Sequence, residues 1–177
     1  MLSVAICIIK IKLAMKLTFN WRLFMSKIPE GYTSLTPFIV FDDASVAIEF
    51  YKKALDANVN MSMPSLDGNI MHAELQIGSA KLMVGIPSSE TDGAKTKSTK
   101  SMRDSPISFY VYVEDVQASF NKAKDAGMLE KKGVEDMFWG DRMGTLTDPF
   151  NIEWIIAEHV RDVSPEEINE AMKKMAS

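Results

Sequence analysis

The chain has 177 residues, 46% of them apolar, with a formal net charge of -4 and a pI near 5.3. That length builds one core or an intimate pair of cores, not several domains, and the acidic balance provides no global positive field to attract a phosphate backbone or an anionic bilayer. Nucleic acid and membrane are therefore not expected as partners.

Residues 1–24 are apolar but broken by Lys10, Lys12 and Lys16. They fall short of the ~20 apolar residues of a membrane span and lack the positive start of a secretory signal. They are expected to form an N-terminal extension outside the fold, with an amphipathic surface anchor as the alternative, leaving 25–177 as a single domain. Cys7 is the only cysteine, which rules out an intramolecular disulfide framework and points to a reducing compartment, the cytoplasm.

The periodicity becomes legible from residue 33. "TPFIVF" reads as a strand, Asp43 as an N-cap, and "ASVAIEFYKKALDA" as a helix with Ala44, Ala47, Ile48, Tyr51 and Leu55 on one stripe. "VNMSM" is a further strand, and "NIMHAELQI" and "KLMVGI" form a hairpin around "GSA". A polar loop, 87–105, carries the only basic cluster, "KTKSTKSMR", which lacks aromatic residues for stacking bases.

The same order then recurs. "ISFYVYV" is a strand, Asp115 a cap, and "VQASFNKAKDAG" a helix with Val116, Phe120 and Ala123 inward and Gly127 as its stop. "EDMFW", "MGTLTD" and "IEWIIA" supply three more strands, the last two joined through "PFN". The two caps lie 72 residues apart (115 − 43). The pattern predicts an α+β fold of two tandem βαβββ modules, about 33–86 and 106–158. Ser164, Pro165 and Glu167 then open a C-terminal helix over 164–175.

These features resemble the vicinal oxygen chelate superfamily, the glyoxalase, bleomycin resistance and extradiol dioxygenase proteins, and within it the PhnB-like branch. The likeness is carried by "ASVAIEFYKKAL", "MHAELQIGSAKLMV" and "FWGDRMGTLTDPF" followed by "EWIIAEHVRDVSPEEI", and spans about Ile28 to Met172. It implies sheets curled around a cup, completed in a homodimer. Relatives commonly carry "DPFGH" where this chain has "DPFNI"; Asn151 tolerates left-handed backbone angles, so the turn is expected to survive.

The superfamily's enzymes hold a divalent metal at four places, which map by the resemblance onto Thr36, Met83, Ser108 and Ile155. Thioether, hydroxyl and alkyl groups do not make a site for a hard or borderline cation, so neither metal nor cofactor is expected. Alternation along "IMHAELQI" puts His72, Glu74 and Gln76 on the polar face, toward the cup. His72 and Glu74 read as a hydrogen-bonded surface pair or as catalytic acid-base partners. The same alternation offers Thr36, Phe38, Ser108, Tyr110 and Tyr112 to the ligand. In "FWGDRMG", Gly140 and Asp141 read as a hairpin turn, and Arg142 either pairs with Asp141 or Asp136 or reaches into the cup to bind an anion.

The expected function is binding of a small organic molecule in a metal-free cup built by a homodimer. The alternatives are a metal-dependent lyase, isomerase or dioxygenase resembling glyoxalase I, and a metal-free enzyme using His72 and Glu74. No Ser/His/Asp arrangement, phosphate loop or dinucleotide glycine motif supports a nucleophilic hydrolase, a kinase or a dehydrogenase.

Overall fold

The computed structural model describes residues 28–66, 68–87, 98–99 and 106–175. The extension 1–24, Cys7 and nearly all of the loop 87–105 lie outside the described residues. The chain divides into two compact units, Met1–Leu35 and Thr36–Ser177. In the first, the Tyr32 amide donates to the Pro29 carbonyl and the Thr33 hydroxyl to that of Leu35.

The second unit is α+β and contains both βαβββ modules. The first comprises β1 (Phe38–Val40), α1 (Ala44–Ala54), β2 (Asn58–Pro64), β3 (Ile70–Ile77) and β4 (Ala80–Gly85). The second comprises β5 (Ser108–Tyr112), α2 (Val116–Asp125), β6 (Leu129–Asp136), β7 (Asp141–Thr147) and β8 (Glu153–His159), and α3 (Pro165–Met175) closes the chain. Each module forms one sheet, ordered β1-β4-β3-β2 and β5-β8-β7-β6. In each, the first strand runs parallel to the last and all other pairs are antiparallel. Among the described residues, no helix is long and apolar enough to cross a membrane.

Local chemistry sets the element ends. Asp43 accepts hydrogen bonds from the Ser45 and Val46 amides, and Asp115 from that of Ala118, so both helices start where a carboxylate satisfies their free N–H groups. Ser164 and Glu167 make the reciprocal capping box of α3. Three strand starts differ from the periodicity by two or more residues, the first being β1, which begins at Phe38 instead of Thr36. Strand β6 begins at Leu129 instead of Glu135, and residues 137–140 form the hairpin turn, closed by the Met137 amide on the Asp141 carbonyl. Strand β7 accordingly begins at Asp141, two residues before the apolar alternation becomes visible.

Gly140 is required in that turn. It sits at φ 101°, and a Cβ there would lie 2.1 Å from the Arg161 carbonyl oxygen. Asn151 takes φ 64° in the next turn, so the departure from glycine is accommodated.

One core serves both modules. Ile48, Tyr51, Leu75 and Val84 from the first join Phe120, Leu146, Trp154 and Ile156 from the second, with α1 against α2. Gly144 admits the Phe120 ring, which would sit 2.5 Å from an added Cβ. At the centre lies Asp148, 2% exposed. It accepts from the Tyr51 hydroxyl at 2.7 Å, the Trp154 indole at 2.9 Å, and the Phe150 and Ile152 amides at 2.8 and 2.9 Å. Burial pushes its carboxyl pKa up even against those four bonds. The aspartate of "DPFN" therefore ties a helix of one module to the β7–β8 turn of the other.

Candidate functional site

The helices cover one face of each sheet, and the opposite face of each is open. In the first sheet Ala73, Leu75 and Ile77 are buried while His72, Glu74 and Gln76 are half-buried on the other side. Antiparallel partners share a face, so the register places Met61 and Met83 on either side of Glu74, and Met63 beside His72. Phe38 lies next to Met83, 51% exposed, with its ring over Gly85 and 5.7 Å from that of His72. Gln76 donates to the Gly78 carbonyl and accepts from Asn60. Thr36 precedes β1 and is half-buried. His72 and Glu74 are brought to the same face without bonding each other: the structure gives His72 the Phe38 contact, and Glu74 no hydrogen bond or ion pair among the described residues.

In the second sheet Ser108, Tyr110 and Tyr112 alternate with Phe109 and Val111, which pack on the core. The tyrosine hydroxyls converge on Asp141, at 3.1 Å from Tyr110 and 3.0 Å from Tyr112. The Trp139 indole N–H donates to the same oxygen at 3.2 Å. The other oxygen faces His159 Nδ1 at 2.9 Å, and His159 Nε2 lies 3.0 Å from Asp162. The turn-only reading of Asp141 is thus incomplete, because four side chains converge on its carboxylate.

The electrostatics follow from those bonds. Burial alone would raise the Asp141 pKa, but the bonds from His159, Tyr112, Tyr110 and Trp139 outweigh it and the carboxyl is held low. Burial and the Asp141 bond push the Tyr110 phenol up to about 12. The Asp141 bond raises Tyr112 as well. Asp141 first, then Asp162, raise His159 above 6.5. The imidazole is clamped between two carboxylates, which favour its protonated form.

Asp141 and His159 are the residues that sequence reasoning missed. They are direct partners across β7 and β8, and Asp141 shares the parity of Met143 and Thr145. That signal was readable only once β7 was known to start at Asp141. Arg142, one residue on, takes the opposite parity, with Gly144 and Leu146 on the helix side. It forks onto Asp136, at 2.5 and 3.2 Å. Both groups are exposed, so Arg142→Ala is expected to leave the melting temperature and any ligand affinity nearly unchanged. A marked loss of affinity on thermal-shift titration would move Arg142 into the site.

The four positions onto which the resemblance maps a metal, Thr36, Met83, Ser108 and Ile155, carry poor donor groups. Phe38 pairs with Met83, and Tyr110 with Ile155. Glu153 faces Ser108 across β5 and β8 and shares the open face with Ile155, adding a single carboxylate. Among the described residues, no three His, Cys, Asp or Glu side chains are grouped to hold a metal ion.

Comparison with known proteins agrees with the fold. The model of a family described as the Glyoxalase/Bleomycin resistance protein/Dioxygenase superfamily matches residues 34–156. An uncharacterised protein from Mycobacterium bovis is 37% identical over 139 residues, covering 78% of this chain and 91% of its own length. The TioX structure from Micromonospora sp. ML1 superposes with a TM-score of 0.57 at 19% identity, over 75% of this chain and 100% of that one. The PhnB protein from Bacillus cereus superposes with a TM-score of 0.53 at 14% identity, over 71% and 99%. The two structural likenesses speak for the fold alone.

Proposed function

The chain belongs to the Glyoxalase/Bleomycin resistance protein/Dioxygenase superfamily, and from that premise we propose that it binds a small organic molecule in a metal-free cup completed by a second copy of the chain. The observation that carries this reading is the joining of the modules through α1, α2 and one shared core, which leaves the open face of each sheet uncovered by the other module's strands. Those faces hold Phe38, Tyr110 and Tyr112 at 51%, 42% and 60% exposure, the amount of bare aromatic surface a ligand or a partner face would cover.

The first sheet would supply Phe38 and the polarizable thioethers of Met61, Met63 and Met83, with Thr36, His72, Glu74 and Gln76 orienting polar groups. The second would supply Ser108, Tyr110 and Tyr112. Absence of a bond between His72 and Glu74 leaves the pair without the mutual orientation that acid-base partners need, so binding is favoured over catalysis by them. Thr36, Met83, Ser108 and Ile155 do not suit a divalent ion, and the metal-dependent reading is not favoured either. Within the superfamily we propose the PhnB-like branch, on the motifs of the sequence.

Sedimentation equilibrium is expected to return a dimer mass. Elemental analysis is expected to find less than about one tenth of an equivalent of Ni, Zn, Fe or Mn, given the donor set. A thermal-shift screen of metabolites and antibiotics is expected to yield stabilising compounds whose effect is lost in Phe38→Asp. A monomer at all concentrations, or stoichiometric metal lost on His72→Ala, would sink the proposal.

A further inference from the structure

At the carboxyl ends of the parallel pair β5 and β8 lies a cleft of about 410 Å³ lined by Tyr112, Val113, Glu114, Glu158 and His159. It lies beyond the open-face reading, because Glu158 has the parity of Trp154 and Ile156 on the helix side and Glu114 follows the end of β5. Tyr112 and His159 have open-face parity, and they are where the two meet.

The composition of this cleft is one-sided. Among the described residues, its walls carry two carboxylates and no lysine or arginine. Behind Tyr112 and His159 stands the Asp141 carboxylate, and Asp162 meets the far edge of His159. The arginines on neighbouring elements are already committed, Arg142 to Asp136 and Arg161 to Glu167. One Glu158 oxygen takes the Val116 amide at the start of α2, which fixes the side chain without neutralising it. The Tyr112 ring packs on Tyr110 at 5.1 Å between centroids and is tethered by its hydroxyl to Asp141, yet the residue stays 60% exposed. It puts a tethered aromatic ring on the wall of a hollow lined by carboxylates.

We propose that this cleft is a binding site for an organic cation, a substituted or quaternary ammonium group held on the Tyr112 face by the field of Glu114 and Glu158. A ring quadrupole attracts a diffuse cation, and a compact inorganic ion would find too few converging oxygens here. His159 sets the pH response. Around it stand Asp141 on β7, Tyr112 on β5, Asp162 after β8 and Glu158 beside it in sequence, so protonation of the ring places a positive charge beside the ligand. Loss of that proton frees the field for the cation.

The test is calorimetric titration of the full chain with choline at low salt, against its neutral isostere 3,3-dimethyl-1-butanol. Choline is expected to bind about tenfold or more tighter than the alcohol, the difference being the cation–π and charge terms. Tyr112→Leu and Glu114→Gln are each expected to weaken choline severalfold. Glu49→Gln on exposed α1 is expected to leave it unchanged, a control for net charge. Choline affinity is expected to rise from about pH 6 to about pH 8.5 in the wild type, and to lose that dependence in His159→Gln. Equal binding of the alcohol, an unchanged Glu114→Gln variant, or a flat or falling pH profile would each overturn the assignment. Failure of choline would leave the dimer and open-face measurements untouched, so the two proposals fall separately.

Discussion

Replacing Asp148 by alanine is expected to lower stability by about 4 kcal/mol or more, because four buried donors lose their acceptor at once and each unsatisfied group costs about 1–3 kcal/mol before relaxation. The donors are the Tyr51 hydroxyl, the Trp154 indole and the Phe150 and Ile152 amides. For a unit of this size the melting temperature should fall by about 10 °C. Asp148→Asn is expected to cost roughly half as much. Burial already pushes the Asp148 carboxyl up, so the residue acts mainly through its acceptor oxygens, and asparagine keeps one. Tyr51→Phe removes a single bond and should cost about 1–2 kcal/mol. A melting curve for Asp148→Ala that overlays the wild type would show that the two modules are not joined at this point.

The second large effect concerns Asp141. Asp141→Ala is expected to cost about 2 kcal/mol near neutral pH, since the Tyr110, Tyr112 and Trp139 donors lose their common acceptor but can partly turn to water. A residue that only shaped a turn would be nearly silent. The sharper readout is His159, whose pKa is expected to fall back toward 6.5 in Asp141→Asn, followed by NMR titration with His72 as the reference signal. The pH dependence has two limbs of opposite sign. His159 is raised, so its contribution is complete below 6.5 and is lost as pH rises through the raised value. Asp141 is lowered, so its contribution is present above 3.8 and is lost as pH falls through the depressed value. Asp141→Asn should flatten both limbs. If the His159 titration did not move, the clamp between the two carboxylates would be disproved.

Amino-acid order by itself determined the two modules. Helix starts depend on a residue and its next three neighbours, so Asp43, Asp115 and Ser164 announce α1, α2 and α3 within a few positions. The buried stripe of α2, Val116, Phe120 and Ala123, follows from the helical period alone. Strand alternation likewise separated Phe38, Tyr110 and Tyr112 from Ile39 and Val111, because side-chain direction along a strand is a local property. The start of β7 was not legible, since Gly140, Asp141 and Arg142 carry no apolar alternation. Parity there is fixed by pairing with β8, which lies 12 or more residues downstream.

Only the tertiary structure decided what Asp141 and Asp148 do. Both were visible as residues of a turn motif, and both turned out to be carboxylates with four donors each. Those donors come from segments as distant as Tyr51 on α1 and Tyr110 on β5. A carboxylate announces that it needs partners when buried, but not which partners, because they are chosen by the way the two sheets share a core. The same reason puts Arg142 on the opposite face from Asp141 and brings His159 beside Tyr112. Neighbours in sequence leave a strand on opposite faces, while residues far apart meet through register.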